Sequence, residues 1–210
     1  MEKANGPTLC GARIHSACEK ATANSRSRHL YERVERSLEV GDKLGPEEEE
    51  FIRERDGFYM ASVSETFWPY IQFRGGQKGF LRALDAQTIG FADLRGNTQY
   101  ISVGNFQSDD CVALFLTDYA TRSRLKILGR VKIHKGDAEA EELLEMLKVP
   151  SEKYSPEQAI LIHVEAFDWN YPQHITPRYT EGEWENVLEP LRRRLDALEA
   201  ENERLRVPTV

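Results

Sequence analysis

The sequence predicts a mainly β fold: an antiparallel barrel with helices at its ends and one long helix after it. Three observations predict this. Seven short runs carry strand patterning and are joined by tight turns. The helical patterns flank these runs instead of alternating with them, which excludes a parallel α/β sheet. The last thirty residues change character and repeat leucine at steps of three and four.

Taken in order, residues 1–27 are small, polar and without period, and are expected to form a loose tail. From Arg28, Leu30, Val34 and Leu38 recur at helical spacing, so a helix is expected that ends near Gly41. Gly45-Pro46 then opens a short helix. Proline suits its first turn, and the acidic run Glu47–Glu50 complements the positive helix end as a solvated start. Strands are expected over Phe58–Val63, Phe67–Phe73, Phe80–Leu84 and Ile89–Asp93, with Pro69 implying an edge or a bulge and Asp85-Ala86-Gln87 a hairpin turn. Cys111–Thr117 is a continuous apolar run, expected to be buried on both faces, with Cys111 itself a small buried residue. Leu125–His134 alternates, and Gly129 within it marks a bulge or sharp bend. Asp137 caps a helix through Leu147, and Ile160–Phe167 is the last strand.

Residues 181–210 form the third expected segment, after the tail and a domain spanning 28–180. Leu188, Leu195 and Asn202 fall at heptad position a, and Leu191, Leu198 and Leu205 at d. Arg194 and Glu201 then stand at g, with Glu199 and Arg206 at the following e. A parallel pair of helices brings opposite charges together at both contacts, and an a-position asparagine favours two strands in register.

The 210 residues carry a formal net charge of -7, so neither nucleic acid nor an anionic membrane is an expected partner. No apolar run approaches membrane-spanning length, and the N-terminus lacks an apolar signal core, so a cytoplasmic protein is expected. Cys10, Cys18 and Cys111 are too few and too irregular for a disulfide framework. His15 between the first two does not complete a metal-ligand pattern, and no metal site is expected.

The chemistry concentrates in Tyr70–Asn105, where alternating, aromatic-rich strand patterns are broken by Arg74-Gly75-Gly76 and Arg95-Gly96-Asn97, with Lys78-Gly79-Phe80 between them. Glycine lets the backbone approach a ligand closely, and exposed N–H groups beside Arg and Lys suit a phosphate. The same residues also fit a plain meander with glycine turns. No Walker pattern and no G-x-G-x-x-G after a strand is present, and no spacing suggests a hydrolytic triad or paired carboxylates.

From Tyr70 to Gly129 the chain resembles the pyridoxamine 5'-phosphate oxidase-like, FMN-binding split-barrel superfamily, and within it the flavin-nucleotide-binding branch that carries RGG-x-x-GF. That segment is here Arg74 to Phe80, followed by Asp93, the Gly96-Asn97 pair, Asn105, and the Leu125–Gly129 turn. The resemblance implies a split barrel that binds FMN at a cleft between the two subunits of a homodimer. By position it implies flavin contacts from Gln72, Arg74, Gly75, Lys78 and Phe80, and from Phe91, Ala92 and Asp93 along the ring edge. It places Asn97 and Gln99 near the phosphate, Arg124 on the strand entering Gly129, and Trp169, Gln173, His174 and Arg178 over the ring. His174, after Pro172 in a polar aromatic loop, is the candidate catalytic residue. Two departures stand out. Thr98 and Gln99 replace the oxidases' phosphate-gripping lysine and arginine, and their R-x-H substrate signature is not reproduced. The resemblance thus points to an FMN-dependent oxidoreductase of unassigned substrate, taking electrons from NAD(P)H or a small molecule, rather than to pyridoxamine-phosphate oxidation. The competing reading is a non-catalytic FMN storage or sensing module.

Overall fold

The computed structural model describes residues 42–96, 99–148, 156–170 and 173–206. The expected tail, the helix carrying Leu30 to Leu38, Cys10, His15, Cys18 and the site candidate Asn97 lie outside the described residues. Those described fall into two compact units. The first holds residues 42–118 and 123–170, and the second holds 119–122 and 173–206.

In the first unit the elements follow the order α1 (Pro46–Arg53), β1 (Gly57–Val63), β2 (Pro69–Gly75), β3 (Arg82–Asp85), β4 (Thr88–Leu94), α2 (Ile101–Ser108), β5 (Cys111–Asp118), β6 (Ser123–His134), α3 (Ala138–Leu147) and β7 (Pro156–Asn170). The strands form one antiparallel sheet in the order β2-β1-β5-β6-β7-β4-β3. All seven expected strands are present. The second begins at Pro69 instead of Phe67, because Phe67 takes a left-handed φ of 63° in a tight turn where its N–H donates to Ser64 O (2.8 Å). The Asp85 turn closes through its own carboxylate, which accepts from the Gln87 N–H at 2.7 Å. Asp137 caps α3 by accepting from Ala140 N at 2.7 Å.

The sheet is rolled. β2 and β4 lie near its opposite ends, yet Arg74 of β2 donates to Asp93 of β4 at 2.5 Å. No backbone ladder joins these two strands, so the barrel is split along this line. Inside it, Phe58, Phe80 and Phe91 form an aromatic cluster with ring centroids 5.5–6.4 Å apart, packed with Met60, Leu114, Leu116, Leu125, Ile127 and Ile160. Two long strands, β6 and β7, form its back wall, and their register slips at Gly129 as the bulge requires.

Three expectations are corrected by the structure. β5 is not buried on both faces. Val112, Leu114 and Leu116 point inward, while Ala113 and Phe115 are half-buried on the outer face. Cys111 is exposed at the strand's start rather than buried; desolvation and a hydrogen bond with Asp109 raise its thiol pKa, so it is no activated thiolate. The strand-like stretch before Asn105 ends in a helix, α2, whose β-branched residues and internal Gly104 disguise it. The acidic run also does more than solvate a helix start. Glu48 accepts from Gly45 N at 2.9 Å and from Trp169 Nε1 at 2.7 Å, tying α1 to β7.

In the second unit the long helix α4 (Glu181–Arg206) is the main element, and none of its residues is buried. No helix among the described residues is long and apolar enough to cross a membrane.

Candidate functional site: the split between β2 and β4

Register decides which side chains face the split. Phe58, Met60 and Ser62 of β1 point into the barrel, and their partners on β2 are Arg74, Gln72 and Tyr70. These three therefore share the inner side of β2, where no strand covers them. Across the gap β3 ends at Arg82 opposite Gly90, so β4 beyond Gly90 is paired only with β7, and its other backbone edge is open. The helix α2 sits across the opening. Ser102 donates to Gln72 Oε1 at 2.7 Å, and Asn105 Nδ2 donates to Ser62 Oγ at 2.9 Å, so α2 is pinned to β1 and β2 by buried polar contacts.

The resulting cleft is lined by Tyr70, Gln72 and Arg74 of β2, Asp93 and Leu94 of β4, Gly96 and Gln99 of the following loop, Tyr100 through Val103 at the start of α2, and Glu157 of β7. Its electrostatics are balanced. Asp93 is buried and takes hydrogen bonds from Arg74 and from Gln158 Nε2 (2.9 Å). Arg74 keeps a buried Nε with no hydrogen-bond partner, a donor available to an incoming group. Tyr100 donates to Glu157 at 2.9 Å; that bond raises its pKa above the ordinary phenol value, so it remains a protonated donor. Tyr100 holds a left-handed φ of 50°, the kind of backbone strain that recurs at binding sites. No side chain caps α2, and a helix start leaves its first amides without helical partners, facing anions favourably.

The structure brings together Gln72, Arg74, Asp93 and Gln99 of the sequence-expected residues. The others described in the first unit do not line the cleft. Lys78 lies 3.4 Å from Glu54 and does not line the cleft, and the amides of Gly76 and Phe80 are spent on Asp56 O and Gln77 O. Gly75 is the terminal β2 residue, paired with Gly57. Phe80 and Phe91 point into the core, which leaves β4's backbone rather than its rings at the cleft; Ala92 is half-buried on the same strand. Arg124 donates to Asn170 at 2.9 Å, and Trp169 packs edge-on to Phe51 with centroids 4.7 Å apart. Trp169 stands eleven residues beyond Gln158 along β7 and does not line the cleft. Gln173, His174 and Arg178 belong to the second unit, where Arg178 stacks over Tyr119 at 5.1 Å and His174 has a left-handed φ of 64°.

Sequence reasoning did not single out Tyr70, Tyr100, Ser102 or Glu157. Only the tertiary approach of β2, α2 and β7 gathers them, and no spacing in the sequence signals it.

No family model matches the chain, and no curated protein matches it either. Solved structures do. A candidate pyridoxamine 5'-phosphate oxidase from Lactobacillus delbrueckii is 18% identical, covers 62% of this chain and 97% of its own, and superposes with a TM-score of 0.50. HupZ from Group A Streptococcus gives 16%, 65%, 99% and 0.49, and an FMN-binding protein from Syntrophomonas wolfei gives 13%, 68%, 97% and 0.45. With its rolled seven-stranded sheet, open between β2 and β4, the chain has the split-barrel fold of the pyridoxamine 5'-phosphate oxidase-like proteins.

Proposed function

We propose that this chain binds FMN in the β2–β4 split as a homodimer and serves as an FMN-dependent oxidoreductase. The observation that carries the reading is the unpartnered, buried Nε of Arg74 beside the uncapped first turn of α2. Arg74, Gln99 and the amides of Ile101 to Val103 would hold the phosphate, and the open backbone edge of Phe91 to Leu94 would meet the ring. A bound flavin supplies the hydride chemistry; the chain's residues bind and orient it and hold a proton at the Tyr100 hydroxyl.

Two features support a second copy. The enclosed part of the cleft measures about 50 Å³, room for a few water-sized groups but not for a three-ring flavin, so the ring needs further cover. On the outer face, Phe73, Tyr59 and Phe115 are cross-strand neighbours in one aromatic row over β2, β1 and β5, with Ile71 beside them, and Ile71 and Phe73 are 63% and 59% exposed. A face of this kind is a protein-interaction surface. A second copy seated there buries the outer side of β5 and accounts for its continuous apolar run.

One observation favours the non-catalytic alternative: both cleft carboxylates, Asp93 and Glu157, are already engaged by hydrogen bonds. Titration with FMN followed by anaerobic addition of NADH or NADPH separates these readings. Saturable quenching of flavin fluorescence is expected, then bleaching and recovery in air. Bound flavin inert to both nicotinamides would leave the storage or sensing module, and no quenching at high protein concentration would end both readings.

A further inference from the structure

We propose that α4 pairs in parallel and in register with the α4 of a second copy of this chain, forming a two-stranded coiled coil. The inference does not depend on flavin binding. Among the described residues the seam leucines lack cover: Leu191, Leu195 and Leu205 are 60%, 56% and 78% exposed, and no α4 residue is buried. The structure also lengthens the seam. Trp184, one heptad before Leu191, takes another d position and is half exposed, its indole set edge-on to Tyr179 at 5.3 Å. Three heptads of seam therefore run from Trp184 to Leu205, apolar except at Asn202. Pro190 falls at position c, off the seam, so its missing N–H does not interrupt the apolar stripe.

Charge chooses the occupant and its direction. Towards its start the helix satisfies its ions internally, through Glu185–Arg192, both at e, and Glu189–Arg193, each at 2.9 Å. Arg194, Glu199, Glu201 and Arg206, the charged g and e residues further along, make no ion pair among the described residues. In a parallel pair, Arg194 faces the other copy's Glu199 and Glu201 faces its Arg206, so all four are matched twice by symmetry. Asn202 at a meets its own copy across the seam, which fixes register and favours two strands. A seam this short is weak alone, and gains from high effective concentration if the barrels already associate.

The test is oxidative cross-linking of the full chain carrying Leu205→Cys. In the parallel register the two 205 positions touch across the seam; in an antiparallel one each lies opposite Leu188, about 25 Å away from its copy. Most of the protein is expected to become a covalent dimer, with peptide mapping placing the link between the two 205 positions. Adding Glu199→Arg, which sets like charges at Arg194, should reduce the yield several-fold, and adding Arg194→Glu as well should restore it. Absence of a 205–205 link under the same oxidant would overturn the proposal, as would a link indifferent to both charge changes.

Discussion

Replacing Gly129 with alanine is expected to destabilise the protein by about 3 kcal/mol, at the upper end of the cost of overpacking a core. At this position an added Cβ would stand 2.4 Å from the backbone carbonyl oxygen of His163 and 2.7 Å from the Ile162 side chain. A side-chain tip can swing away, but a carbonyl held in the β6–β7 ladder cannot. The close approach is itself the bulge: Leu128 pairs with Ala166 and Gly129 with Val164, so β7 contributes one extra residue there. Thermal melting should show a drop of roughly 6–12 °C for a chain of this size. Gly104→Ala makes a control, because it adds a methyl group to open space in α2 and should leave stability equal or slightly higher. A G129A protein that melts within a degree of the parent would mean that β6 and β7 do not approach as described.

The second large effect belongs to Arg74. Truncation to alanine strands Asp93, which is buried and left with Gln158 as its hydrogen-bond donor. Removing one partner of a buried ion pair costs on the order of 3–5 kcal/mol, and the slight exposure of this pair, 15% and 10%, puts the expected loss near 3. Asp93→Asn in the same chain should recover part of it by removing the stranded charge. Denaturant unfolding of the single and double variants checks this. If R74A unfolds like the parent, the ion pair contributes nothing to closing the split.

Much of this architecture was legible in the sequence because it rests on period and punctuation. Strand alternation, the Asp85 turn, the Asp137 cap and the Gly129 bulge are local, and each appears where its residues require it. What stayed hidden depends on the whole sheet. The apolar run of β5 looked like a strand buried on both faces; one of those faces is the half-exposed outer row with Tyr59 and Phe73. α2 has too little amphipathic pattern to announce itself, and its placement rests on Ser102 and Asn105 bonding to residues thirty and forty-three positions earlier. The basic, glycine-rich Arg74–Phe80 segment read as one phosphate site. Strand alternation divides it, turning Arg74 into the split while Lys78 stays on the loop beside Glu54. For the site, only Gln72, Arg74, Asp93 and Gln99 were legible and are brought together. Tyr70, Tyr100, Ser102 and Glu157 complete it through contacts between distant strands.

The most direct test of flavin in this cleft compares the affinities of FMN and riboflavin, which differ only in the phosphate, for the parent and for R74A. Both ligands meet the same folded protein, so any loss of stability cancels in the ratio. Charge-assisted hydrogen bonds contribute about 1.5–3 kcal/mol each, so FMN should bind the parent at least about tenfold more tightly than riboflavin, and that advantage should shrink towards unity in R74A. Equal binding of the two flavins by the parent, or a preference for FMN that survives R74A intact, would contradict a phosphate held at Arg74 and the start of α2.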